Sequence, residues 1–215
     1  MRTKLVLSFL LTGAVLCAAP ITSNVSVVNG GTPVETDGNG HDVGPYNLSV
    51  NGTTVQALCV DDLDWSQSNW TANVTYLGSG NVSSTYHPAD LQEYQEDAWI
   101  FSQITKQGAD RVNLQDAAWD IMDNSITSVS QIPKALQGTA IGNDIANAIN
   151  GYSSMNMSDL EILSGTNPGA NGRPQEFIVP CATPEPASFA LLGAGLLLAG
   201  AFRARRRIEL AGANS

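Results

Sequence analysis

Three cysteines and two histidines carry most of the chemistry available to this 215-residue chain. Cys17 lies inside an apolar N-terminal run, which leaves Cys59 and Cys181 in the body of the protein. Two thiols in an exported chain form a disulfide by default, although Cys181 stands at the very end of the body. A nucleophilic Cys59 would need a base beside it, and His41 and His87 are the candidates. Neither is flanked by a recognisable catalytic motif. Two histidines and scattered acids give no zinc spacing, and there is no phosphate loop or dinucleotide fingerprint. The residues therefore argue against an enzyme, a metal and a cofactor. Asp37-Gly38-Asn39-Gly40-His41-Asp42 alternates oxygen-bearing side chains in the manner of a calcium loop but lacks the distal bidentate glutamate, so it reads as a solvated turn. Asp61, Asp62 and Asp64 read as solvated charges at a strand end, with cation binding as the alternative.

The elements that must position these residues change character along the chain. Asn24 to Val28 reads as a short strand, followed by a Gly-rich loop from Gly30 to Gly44. Tyr46, Leu48 and Val50 alternate with polar residues. Asn51-Gly52 then favours positive φ, and Val55, Ala57 and Cys59 alternate on the return, which predicts a hairpin. Cys59 shares a strand face with Val55 and Ala57. Trp70 to Leu77 reads as a further strand. At Pro88 the period becomes helical: Asp90 and Glu93 suggest a capping box, and Leu91, Tyr94, Ala98, Phe101 and Ile104 form one apolar face. A second helix is expected from Asn113 as N-cap, with the stripe Leu114, Ala117, Ala118 and Ile121. Gln115 falls in its first turn, sharing a face with Ala118, Trp119 and Met122. Pro133 to Asn150 is weaker helix, Ser164 to Pro174 loop, and Glu176 to Val179 a closing strand. The class is α+β, with sandwich- or barrel-like strands and an inserted helical portion.

Leu58-Cys59-Val60-Asp61, followed downstream by Leu114-Gln115-Asp116-Ala117-Ala118-Trp119, resembles the two signature motifs of bacterial surface thioester domains. Tyr94-Gln95-Glu96-Asp97-Ala98-Trp99 fits the helix expected between them, and Gln175-Glu176-Phe177-Ile178 the closing strand. The likeness spans roughly residues 46 to 179 and departs at Leu114, where the family has threonine. It implies that the Cys59 thiol attacks the Gln115 carboxamide, expels ammonia and leaves a thioester. That thioester would then acylate an amine or hydroxyl on a target surface. Gln115 near a helix N-terminus would find N–H donors for an oxyanion, and Trp119 would shield the bond from water. The other readings of Cys59 are a disulfide with Cys181 and a buried thiol in an inert fold.

Both ends of the chain speak to its destination. Arg2 and Lys4, the apolar run Leu5 to Leu16 and the small residues Cys17-Ala18-Ala19 read as a signal peptide over residues 1–23. Lipidation at Cys17 is the alternative, against which the large Leu16 argues. The far end carries Thr183-Pro184-Glu185-Pro186, the uncharged run Ala187 to Phe202, and an arginine cluster of Arg203, Arg205, Arg206 and Arg207. The run would make about 24 Å of helix, slightly short of a bilayer core of about 30 Å. The arginines would stop transfer on the cytoplasmic side. A plain tail anchor explains the run and the arginines but not the Pro-Glu-Pro. All three parts in order resemble the sorting signal of PEP-CTERM proteins, which an exosortase recognises and cleaves in Gram-negative bacteria. The sorting signal is expected over residues 181–207, with 208–215 as a short tail.

Between these ends, residues 24–180 form the expected extracellular domain, with four basic residues against eighteen acidic ones, a net charge of −14. Such a surface repels nucleic acid and favours solubility outside the cell. The sequons Asn24-Val25-Ser26 and Asn69-Trp70-Thr71 read as strand and turn composition. The expectation is an exported protein that meets the inner membrane in transit and ends at the cell envelope, outer surface or extracellular matrix. There it is either an adhesin bonding to a surface or matrix polymer with amine or hydroxyl groups, or a structural matrix protein without reactive chemistry.

Overall fold

The Asn51-Gly52 turn forms as its residue types require, with φ of 51° at Asn51 and 85° at Gly52. The computed structural model describes residues 22–27, 35–61, 69–166 and 173–181. In chain order its strands are β1 (Thr22–Val27), β2 (Glu35–Thr36), β3 (Asp42–Val43), β4 (Tyr46–Val50), β5 (Thr53–Cys59) and β6 (Asn69–Tyr76). Among the described residues three helices follow, α1 (Leu91–Ile104), α2 (Arg111–Asn124) and α3 (Ala140–Gly151), and then β7 (Leu160–Gly165) and β8 (Phe177–Pro180). Six strands make a closed antiparallel barrel in the order β1-β4-β5-β8-β7-β6. The helices are inserted between β6 and β7. The class is α+β with barrel strands, and closure removes the free edges that an open sheet would expose.

Strand alternation divides the apolar residues into two cores. Leu48, Val50, Ala57, Cys59, Trp70, Leu163 and Phe177 fill the barrel interior. Their neighbours Leu58, Ile162 and Ile178 point outward, where Tyr94, Ala98, Ile104, Leu114, Ala118 and Ile121 of α1 and α2 cover them. Leu58 and Cys59 therefore serve opposite faces of one strand, as a period of two demands. The helical layer thus covers the strands that flank Cys59.

Several elements differ from their expected limits. β1 starts at Thr22, two residues inside the span expected for the signal peptide, and pairs there with Asn73 and Ala72. The expected loop from Gly30 to Gly44 contains the β2–β3 hairpin. Asp90 is the N-cap of α1, but its side chain makes no capping bond, and Glu93 is buried instead of reaching back. The N-cap of α2 lies three residues earlier than expected, because the Asp110 side chain caps the helix by accepting from Asn113 N. The weak helix shortens to α3, capped by Thr139. β7 has no counterpart among the expected elements. Among the described residues no helix is long and apolar enough to cross a membrane. The expected membrane helix at 187–202, Pro184-Glu185-Pro186, the arginine cluster, and residues 1–21 of the signal peptide lie outside the described residues.

Candidate thiol and carboxamide site

Cys59 ends β5 and is fully buried. Continuing the β4–β5 register beyond the Tyr46–Ala57 pair sets Gly44 against Cys59. The Gln115 side chain occupies that junction. Its Oε1 accepts from Gly44 N at 3.2 Å, and its Nε2 donates to the Cys59 carbonyl at 2.6 Å. The carboxamide thus acts as one more rung between two strand ends, with both polar atoms satisfied and the residue wholly buried. A glycine at position 44 suits this approach, since a Cβ there would lie 3.0 Å from Gln115 Oε1 and 3.3 Å from the Tyr46 ring, close enough that a neighbour would have to give by a few tenths of an ångström. The Cys59 thiol is turned to the Asp61 carbonyl, with Sγ to O 3.1 Å.

The structure therefore brings the Gln115 side chain to the Cys59 backbone, and the N–H donor to the Gln115 carbonyl is not at the expected helix N-terminus. Gln115 is the fifth residue of α2, beyond the free N–H groups of the first turn. The N–H aimed at its carbonyl oxygen comes from Gly44. No sequence signal pointed to this glycine, because Gly44 reads only as the end of a Gly-rich loop. Asp61 is buried rather than solvated, while Asp62 and Asp64 lie outside the described residues.

The β2–β3 hairpin lies against α2. Asp37 Oδ1 accepts from the backbone N–H of Asn39 (2.9 Å) and of His41 (2.7 Å), while Oδ2 faces His41 Nδ1 at 2.9 Å. Burial raises the Asp37 carboxyl, but these hydrogen bonds outweigh it and hold the group below the usual carboxylate range. The calcium-like loop is thus a turn knotted by Asp37. The His41 ring meets Trp119 edge to face at 5.9 Å, and Trp119 is buried, its Nε1 without a partner. Tyr46 donates to the Asp42 carbonyl. Burial, then the neighbouring Cys59, Asp42 and Asp37, pushes its phenol far up. Asp116, one residue after Gln115, is raised to about 6, chiefly by burial and then by Asp37 and Asp120.

Cys181 is not opposed to Cys59. The register sets Cys59 against Phe177, and the four residues from there to Cys181 span about 13 Å of strand. A disulfide needs Cα atoms within about 7 Å, so the Cys59–Cys181 bridge is not made. His87 belongs elsewhere, with Nδ1 3.6 Å from Asp90 and its ring edge on Tyr94. Among the described residues no group of three or more His, Cys, Asp or Glu side chains is arranged to hold a metal.

A second polar centre escaped the sequence. Glu176, fully buried just before β8, accepts from Tyr86 N at 3.0 Å, from Ser164 Oγ and from Tyr94 Oη. It ties the barrel to the loop before α1 and to α1 itself.

Residues 182–207 match the PEP-CTERM protein-sorting motif. The motif implies export and sorting to the cell envelope, with recognition by exosortase-type processing. No curated protein and no solved structure matches the chain. The likeness of the central region to thioester domains therefore rests on the quoted motifs alone.

Proposed function

We propose that this exported, envelope-sorted chain displays a barrel whose Cys59 and Gln115 form an internal thioester and attach it covalently to a nucleophile on another surface. The observation that carries this reading is the buried Gln115 carboxamide, held between Gly44 N–H and the Cys59 carbonyl. It is anchored on the same residue whose thiol would attack it. In the reaction, Cys59 Sγ adds to Gln115 Cδ and the carbonyl oxygen becomes an oxyanion facing Gly44 N–H. The C–N bond then breaks, ammonia leaves with the thiol proton, and the C–S bond remains. Burial by Trp119 keeps water from hydrolysing it. The acceptor's amine or hydroxyl would replace sulfur at Cδ and release the Cys59 thiol. The site of display would be the outer surface or extracellular matrix of a Gram-negative cell.

A second reading is favoured by the same bonds. Both polar atoms of the carboxamide are satisfied, and Leu114 replaces the family threonine, so Gln115 would serve as an inert strut in a structural matrix protein. Intact mass of the exported protein, without reductant and before and after methylamine, separates the two. A mass short by one ammonia, recovered as a methylamine adduct at Gln115 and absent from Cys59→Ala, establishes the bond. A full mass in the wild type leaves the inert protein.

A further inference from the structure

We infer that Asp37 and His41 form a base dyad that directs acyl transfer from Gln115 to hydroxyl acceptors, so that the partner is a neutral polyol or polysaccharide. This rests on the thioester reading and adds to it the class of acceptor.

The dyad is built by the hairpin. An ionised carboxylate only accepts, so the contact between Asp37 Oδ2 and His41 Nδ1 at 2.9 Å places the imidazole proton on Nδ1. Nε2 is left as the basic nitrogen. Asp37 is pinned by two further backbone donors, so the ring's tautomer and direction are fixed by a group that is itself immobile. The two partners differ in exposure, with the Asp37 side chain 4% accessible and that of His41 54%. A buried orienter and an open imidazole suit proton transfer with a molecule arriving from solvent. The ring also stands edge-on to Trp119, one helical turn beyond Gln115. That sets the imidazole against Trp119, on the helix that carries Gln115.

The chemistry distinguishes acceptors. A neutral amine attacks a thioester without help, whereas a hydroxyl must lose its proton as it attacks. In the transfer, the acceptor oxygen bonds to Gln115 Cδ while its proton passes to His41 Nε2. The C–S bond breaks, Cys59 leaves as thiolate, and His41 returns the proton to the sulfur. An ester at Gln115 and a free thiol remain, and the dyad is restored. The acidic surface of the domain disfavours polyanionic acceptors, which leaves uncharged hydroxyl-rich polymers.

Glycerol and methylamine serve as probes, with adduct formation followed by intact mass in the wild type, His41→Gln and His41→Phe. The ammonia deficit is read in each chain, so rates are taken per bond formed. Both variants should lower the glycerol rate relative to the methylamine rate by tenfold or more, within the range expected for a lost general base. Phenylalanine keeps a ring against Trp119, so a His41→Phe chain with the wild-type ratio would reduce His41 to packing and overturn the proposal. An unchanged ratio in both variants overturns it too. Loss of the deficit in both would place His41 in bond formation rather than transfer, and the proposal would fall in that case as well. A wild type without the deficit removes the thioester reading itself, an outcome distinct from all of these.

Discussion

Tyr94 in α1 donates its phenolic hydrogen bond to Glu176, a residue 82 positions later at the entry to β8. The same hydroxyl accepts from His87 N at 3.3 Å, so one oxygen joins the loop before α1 to the barrel wall. Burial pushes the Tyr94 phenol far up, Glu176 adding to the effect, and the group stays neutral.

Tyr94→Phe removes a donor from a fully buried carboxyl and an acceptor from a backbone N–H. The expected loss is about 1–3 kcal/mol of unfolding free energy, measured by urea denaturation. A variant as stable as the wild type would show that water replaces the hydroxyl without cost.

The buried acids of α1 set a pH dependence. Asp97 is wholly buried with neither carboxylate oxygen hydrogen-bonded, and burial, then Glu96 and Glu93, raises it well above the ordinary range. Glu96 is raised to about 7, again chiefly by burial. A carboxyl with a folded pKa above its unfolded one stabilises fully below the unfolded value, near 4. That contribution is lost as pH rises through the folded pKa. Unfolding free energy should therefore fall between about pH 4.5 and 7 and continue falling above. Asp97→Asn, which cannot ionise, should flatten the alkaline part of the curve. Parallel curves for wild type and variant would rule out Asp97 as its source.

Gly44→Ala forces a methyl group to 3.0 Å from Gln115 Oε1. The carboxamide or the turn must shift, at about 1–3 kcal/mol for an overpacked site. If the proposed thioester forms, the same change should also reduce the fraction of chains carrying the ammonia deficit, because the Gly44 N–H moves with the backbone. Thermal unfolding and intact mass on one preparation check both halves.

Gln115→Glu keeps the shape and removes Nε2, leaving an oxygen to face the Cys59 carbonyl. Two acceptors in a dry site should cost at least about 1 kcal/mol, of the order of an unsatisfied buried group. No ammonia can be lost from this chain. Retained stability would mean that the carboxyl stays protonated and donates in place of the amide, which a stability loss confined to higher pH would reveal.

How far the sequence can be read depends on how each element is buried. The β4–β5 hairpin is legible because one face is polar: Thr54 and Gln56 are exposed while Ala57 is buried. The stripe of α2 is legible for the same reason. β7 is not, because Leu160 to Ser164 is buried on both faces, and a strand covered on both sides loses its alternation. The α1 stripe is plain in the sequence, but Glu93, Glu96 and Asp97 also lie inside, against the ordinary rule for charges. At the site, the approach of Cys59 to Gln115 follows from motif likeness. The identity of the donor to Gln115 Oε1 does not, since it depends on how α2 docks against the β4–β5 strand ends, joining residues 71 positions apart. The Asp37–His41 pairing is hidden inside a stretch whose composition suggests only a turn.

The place of β8 has a mechanical consequence. Residues 182–207 follow this strand almost directly, and β8 is laddered to β5 on one side and β7 on the other. A pull on the C-terminal connection therefore enters the barrel through β8, which is held by ladders on both sides. Cys59 pairs with Phe177 at the start of that strand. Under the proposed attachment the acceptor stays on Gln115, so a load would enter through α2 before reaching β5 and β8, and the helical layer lies in the path of tension.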